Sequence, residues 1–489
     1  MRTALRISAA LAATALLVLG PALSASAALP PAELVADINV GGDSDPDDLI
    51  AYNGLLYFTA DDGTGRELFV SSGSVGSATN LNLNPTGSSD PYNFIIFNSK
   101  LYFVADDGVN GFEIWVIDGS NPPALVVDLE LGPGSSVPDD FTIFGGDLYF
   151  SAQVTGPGNE VFSLSPAGIV TLEADIWPGA SGSNPSSFYA YNGFLYFSAS
   201  SDPASNMDLW RTDGTVTTFY ADLNPTGFSN PHYFSTAGGR LYFVANDGLG
   251  GPPYNYELWT TDGLSSPVQL TTDLDNTIGF QYFTVFNDTL FFSAGNAAIG
   301  QELGRTTGGA IPTFFDINPG AADSFAQDFT AFNGQLWLSA DNGVNGFELM
   351  HTDGTSAPVS GPEVLPGAPS GDVYNLIASG SSLYVDATLN GSGWEVWLTD
   401  GTTFEQATNI FPAGDADPYA LTVLGSYLYF GAQSASGYEL WRVQLSTLAA
   451  AGAGLAATGV DVGFGAAVAG AFVLAGGILL MRRRSQYAN

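Results

Sequence analysis

Apolar positions along this chain recur in short blocks that alternate between large aliphatic and aromatic residues. A Leu-aromatic segment starts at Leu56, Leu101, Leu148, Leu195, Leu241, Leu290, Leu336, Leu383 and Leu428, at intervals of 45 to 49 residues. Eleven to sixteen residues after each leucine comes an acidic-aliphatic-aromatic triplet or a degraded copy of it, from Glu67-Leu68-Phe69 through Asp208-Leu209-Trp210 to Glu439-Leu440-Trp441. Runs this short, bounded by turn formers, read as strands. Pairs such as Asn53-Gly54, Gly145-Gly146, Asn192-Gly193 and Asn333-Gly334 precede the leucines. They tolerate the positive φ of tight hairpin turns, so each leucine strand is expected to pair with the strand before it. The Asp-Gly of Thr212 to Gly214 and Thr399 to Gly401 makes the next turn into a fourth strand, which is expected to end in segments like Asp222-Leu223-Asn224-Pro225.

Four antiparallel strands in about 47 residues match a propeller blade. The expected fold is all-β: a single large β-propeller of about nine four-stranded blades over residues 28–446, plus one C-terminal transmembrane helix. The chain opens with a lone fourth strand at 33–39 and closes on a lone set of three ending near Leu445. Joined, they would make one whole blade closed by the N-terminal strand and leave no open sheet edge. An open solenoid or two smaller rings are the structural alternatives.

The units resemble the bacterial ELWxxDGT repeat, matched by Glu257 to Gly263 (ELWTTDG) and by Asp208 to Thr215 with aspartate in place of glutamate. That resemblance implies a surface or secreted protein and carries little about activity.

Composition adds charge to this picture. There is no cysteine, and six basic residues face 48 acidic ones between residues 28 and 458. Nucleic-acid binding is excluded as an expectation, because phosphate contacts need clustered Lys and Arg. At the start, Arg2 and Arg6 precede an apolar run, and Ala25 and Ala27 flank Ser26, so residues 1–27 read as a signal peptide cleaved after Ala27. At the end, after a short linker at 447–454, come Leu455-Ala456-Ala457-Thr458-Gly459, an apolar stretch at 462–481 long enough to span a bilayer, and a basic tail at 482–489. This order resembles a sortase sorting signal of the LPxTG type, in its LAxTG variant. It implies cleavage after Thr458 and attachment to cell-wall peptidoglycan, with sortase as a partner. A plain membrane-anchored propeller that sortase does not process is the other reading.

Candidate chemistry is sparse. Acidic loops between the second and third strands, at Asp61 and Asp62, Asp106 and Asp107, Asp247, and Asp341, offer oxygens in glycine-rich segments, so calcium is the one cofactor they suggest; Asx residues also cap their own turns. The glutamate that recurs in the triplets reads as an acceptor for backbone N–H groups. The longest such loop, 246–256, with Tyr254 and Tyr256, is the least repeat-like segment and the first choice for a specific contact with an extracellular glycan or protein. With only His232 and His351, no thiol and no nucleophile motif, no catalysis is expected. The expected function is a wall-anchored binding or adhesion module; a hydrolase or lyase acting on extracellular polymer through carboxylates near the channel is the alternative.

Overall fold

The computed structural model describes residues 31–119, 121–202, 207–249, 256–272, 279–363, 371–388, 393–412 and 414–446. The leader at 1–27, the linker, the LAATG segment, the apolar stretch at 462–481 and the basic tail lie outside them. Among the described residues no helix is long and apolar enough to cross a membrane.

Thirty-six strands form nine four-stranded antiparallel sheets among these residues, eight of them with their strands in chain order from inner to outer. The protein is an all-β propeller of nine blades. Blades 1 to 8 comprise residues 47–80, 92–127, 139–174, 186–221, 232–269, 281–315, 327–360 and 374–406. The ninth takes three strands from 419–444 and its outer one from Glu33–Ala36, which pairs antiparallel with Gly437–Gln444 (Glu33 opposite Arg442, Leu34 opposite Trp441). Arg442 also reaches the Glu33 carboxylate (Nε to Oε2, 2.8 Å) and the Gly73 carbonyl (Nη1, 2.6 Å).

The leucine motif makes the second strand of every blade, and its alternation explains why both of its faces are apolar. In blade 2, Leu101, Phe103 and Ala105 pack against Tyr52, Tyr57 and Leu68 of blade 1, while Tyr102 turns to Leu148, Phe150 and Ala152 of blade 3. The same seam recurs between blades 9 and 1, where Tyr429 and Leu440 meet Leu56, Phe58 and Phe69, with Val35 of the outer strand in the cluster. Burying each such side chain stabilises the ring by about 1.5–3 kcal/mol. Inner strands also bond one another around the axis: Thr142 Oγ1 donates to Phe188 O (3.2 Å), Thr330 Oγ1 to Leu376 O (3.0 Å) and Thr422 Oγ1 to Leu49 O (3.2 Å).

The turn chemistry is as read. Asn53 and Gly54 have φ of 50° and 78°, Asn192 and Gly193 49° and 80°, the double positive φ of a type I′ hairpin. The glycine of the third-to-fourth-strand turn has a second reason to be glycine. A Cβ on Gly73 would lie 2.1 Å from the Tyr429 hydroxyl, because the motif tyrosine of one blade reaches into the turn of the next.

Two boundaries differ from expectation. The opening strand is Glu33–Ala36, and outer strands such as Thr217–Ala221 stop before the Asp-Leu-Asn-Pro segment. That segment leaves the sheet because the recurring glutamate holds it instead. Glu67 accepts from Leu83 N (2.9 Å) and Ser89 Oγ (2.6 Å); Glu113 accepts from Leu129 N, Glu130 N and Ser136 N, and from Ser136 Oγ (2.5 Å). Each glutamate is buried, with exposures of 0–2%. It is a buried staple between a blade and the crossing to the next, which is why it recurs. Glu113→Ala would leave two buried and two part-buried donors unpaired and is expected to cost about 3 kcal/mol in urea unfolding, with Glu113→Gln costing roughly half. An unchanged midpoint for the alanine variant would refute the staple.

Candidate functional site at the channel mouth

A propeller of identical units would have no place to bind one ligand, so chemistry must sit where the units differ. Every inner strand breaks register just after its start, between Asp47 and Ile50 in blade 1 and at the same place in the other eight. The second residue of the strand is left-handed in each case, for example Asp48 (φ 52°), Asp140 (57°), Tyr233 (54°), Asp328 (56°) and Asn375 (53°). Only asparagine and aspartate among ordinary residues adopt this conformation readily, so tyrosine there signals a bulge imposed by the fold. These residues join neighbouring blades: Ser187 N donates to Asp140 Oδ2 (2.9 Å), Asn375 N to Asp328 Oδ2 (3.3 Å) and Asn93 Nδ2 to Asp139 Oδ1 (2.6 Å). They ring one end of the central channel, on the face that carries the crossings and the loops between second and third strands.

Three positions per blade vary at this mouth: the residue two before the inner strand, the start of that strand, and the residue before the buried glutamate. Blades 1 and 3 place carboxylates there, at Asp47, Asp48, Asp139 and Asp140. Burial, reinforced by Asp47, pushes the Asp48 carboxyl up to about 6; Asp140, buried beside Asp139, also reaches about 6. Blades 7 to 9 gather aromatic rings among the carboxylates of Asp328, Asp386 and Asp417. Phe325 stacks on Phe347 (6.2 Å between ring centres), Phe347 contacts Tyr374 (6.1 Å) and Tyr374 contacts Trp394 (5.3 Å). In blade 9, Tyr419 meets Tyr438 (5.9 Å), whose hydroxyl donates to Asp417 Oδ2 (2.8 Å).

One carboxylate stands apart. Asp386 occupies the second strand of blade 8 opposite Tyr374, where other blades carry Thr59, Val104, Ser151 or Gly431. It is 2% exposed; Oδ2 accepts from Asn375 Nδ2, and Oδ1 has no hydrogen-bond partner. Burial pushes its carboxyl well above the usual range, and Asp417 and Asp328 add to this. Sequence reasoning missed it, although an aspartate inside an otherwise apolar Leu-Tyr-aromatic motif was a legible signal.

The residues singled out from the sequence lie partly elsewhere. Asp61 accepts from Gly63 N (2.7 Å) and Asp62 from Thr64 N (3.0 Å) and Asn80 Nδ2 (2.8 Å). Asp106 accepts from Gly108 N (2.7 Å), Asp107 from Val109 N (2.9 Å) and Asn110 N (2.7 Å), and Asp341 from Gly343 N (2.7 Å). Asp247 accepts from Leu249 N (2.9 Å) and Gln269 Nε2 (2.8 Å). All six thus cap their own loops. The hydrogen bonds of Thr64 and Asn110 hold Asp62 and Asp107 below the usual carboxylate range despite some burial. Among the described residues no group of three or more His, Cys, Asp or Glu side chains is placed to hold a metal ion. Calcium and EDTA are accordingly expected to leave the melting temperature unchanged in a thermal scan; a rise of several degrees with calcium would reassign these loops. Tyr254 lies outside the described residues, with most of its loop. Tyr256 does belong to the mouth: its hydroxyl accepts from Asn230 Nδ2 (3.1 Å), and its ring meets His232 edge-on (5.0 Å). His351 packs on Trp337 (4.6 Å), away from the mouth.

No protein-family model matches this chain, and no curated protein does. Solved structures similar to it include a prolyl endopeptidase (13% identity, TM-score 0.40, covering 65% of this chain and 49% of that one). Puromycin hydrolase is another (14% identity, TM-score 0.36, covering 62% and 51%). The chain spans about half the length of these proteins. Both are enzymes, so the expectation that this chain does no catalysis is withdrawn. At this identity and TM-score the likeness transfers no activity or residue.

Proposed function

We propose that this protein is a surface-displayed binding propeller that engages an extracellular ligand at the channel mouth. The observation that carries the reading is the division of labour within the repeat. The leucine strand, the buried carboxylate (Glu, or Asp208 in blade 4) and the turn residues recur and build the scaffold, whereas the variable positions gather at one mouth, where aromatic rings cluster across blades 7 to 9 and carboxylates stand on several blades. The terminal segments support display outside the cell, through export and then attachment by sortase at Thr458. Pairing of 33–36 with blade 9 serves as the latch of the ring.

Binding of the full-length chain to arrays of wall glycans and extracellular proteins tests the reading, with turnover scored on the same samples. Binding without products, lost in Trp394→Ala, supports it. Product formation abolished by Asp386→Asn would replace adhesion with an enzyme acting on extracellular polymer. Anchoring is read separately: Thr458→Ala should move the protein from the wall fraction to the membrane fraction.

A further inference from the structure

Between blades 6, 7 and 8 the wall of the mouth falls back into a recess of about 330 Å³, counted out to its open side. The part of it that water-sized groups can occupy is about 90 Å³, room for the edge of one ring rather than for a whole drug-sized ligand. Its polar lining is neutral: the amides of Gln281, Gln301 and Gln327 and the hydroxyls of Ser293 and Tyr282, the last donating to Gln327 Oε1 (3.1 Å), with the rings of Phe325, Phe347 and Tyr374 as its apolar wall.

Three of these polar side chains are deeply buried, Ser293 at 0% exposure and Gln301 and Gln327 at 3% each. The Gln301 backbone is already held on both sides, its N–H by Asp323 Oδ1 (2.7 Å) and its carbonyl by Ser324 N (2.9 Å). Its side-chain oxygen, however, has no hydrogen-bond partner. Other blades carry phenylalanine, tryptophan or arginine at this position, and blade 3 carries Asn159, so scaffold building does not require glutamine here. The Ser293 hydroxyl is also unpaired, as are Ser198 and Ser339 at the same place in their blades, and the Asn159 amide oxygen is unpaired at the equivalent place in blade 3, so what sets this recess apart is Gln301 lining it beside the amides of Gln281 and Gln327. A buried amide oxygen left unpaired is a standing cost to the fold, which a ligand donor would recover.

Resting on the binding reading above, we infer that this recess is a subsite for one neutral sugar ring. Amides and hydroxyls donate and accept at once, as sugar hydroxyls do, and the Phe347 and Tyr374 faces suit the apolar side of such a ring. A charged ligand would meet no counter-charge in this lining, and an anion would also face the acidic surroundings.

The test is saturation-transfer NMR on the full-length chain in detergent micelles. The probes are the methyl glycosides of glucose, galactose, mannose and N-acetylglucosamine, with glucuronic acid and glucosamine as charged comparators. At least one neutral glycoside is expected to bind with a Kd of about 1 mM or tighter. Gln301→Leu and Tyr374→Ala should each weaken it about tenfold, while Phe219→Ala on the outer edge of blade 4 leaves it unchanged; matching melting temperatures confirm that the variants fold. Failure of every neutral glycoside, stronger binding of a charged one, or equal binding by both recess variants would overturn the subsite. Array ligands still bound by the Gln301→Leu, Tyr374→Ala double variant would leave the surface-binding reading standing without it. A wild-type chain that binds nothing sinks both.

Discussion

Val35→Asp is expected to destabilise the whole ring by at least about 3 kcal/mol, a larger effect than any single change on the outer edge of another blade. Val35 is 1% exposed and sits in the seam between blades 9 and 1 with Leu56, Phe58 and Leu440. A carboxylate there must be dehydrated beside Arg442, which is already taken up by Glu33 and the Gly73 carbonyl, or else the strand must leave. If it leaves, the third strand of blade 9 loses its partner and becomes an unpaired edge, so association between copies should rise with the loss of stability. Val268→Asp, in the outer strand of blade 5 and 51% exposed, is the matched control and should stay within about 0.5 kcal/mol. Urea midpoints and sedimentation of both variants check this. Equal midpoints would mean that the ring holds together without its latch.

Acidification from pH 8 to pH 5 is expected to raise the melting temperature by several degrees, the reverse of ordinary acid destabilisation. The recurring glutamates are buried without a cation, and burial outweighs the hydrogen bonds they accept. Glu302 and Glu348 are pushed up to about 7, and Asp208, which takes the glutamate's place in blade 4, to about 6. Asp48 and Asp140 at the mouth also reach about 6. Between the unfolded values, near 4, and these folded values, the native state holds protons that the unfolded chain has released. Stability therefore falls as pH rises through this window and returns on acidification. Half-buried His232 and His351 are shifted down by desolvation and act in the opposite direction below pH 6.5, but they are two against many. The turn aspartates are held low, Asp353 at about 2, and their contribution is lost only as pH falls from about 4 toward that value, below this window. Relief of repulsion among the 49 acidic residues adds to the same trend. Melting scans at constant ionic strength decide the sign, and Glu302→Gln with Glu348→Gln should flatten the slope between pH 5 and 7. A melting temperature that falls on acidification would reject the account.

The blade was legible because its determinants are local. Alternation in Leu-Tyr-Phe needs only two apolar faces, and Asn-Gly needs only a tight turn. The count of units followed from the period. The glutamate's role was legible too, since a residue needed in every blade does scaffold work. The site was read less well. Attention went to the acidic loops and to the long loop of blade 5, because runs of aspartate and departures from the repeat stand out along a chain. The loops proved to be capping themselves, and Tyr256 alone of the described candidates joined the mouth.

What the sequence determined by itself is the unit: four strands, their order, their turns and the acidic character of one face, all encoded within about 47 residues by period and turn chemistry. What only the tertiary structure decided is where the differences between units converge. Phe347, Tyr374 and Trp394 are separated along the chain, and Asp386 is one letter in an ordinary-looking strand. They become neighbours because a twisted sheet repeated around an axis brings the start of every inner strand to the same end of one channel.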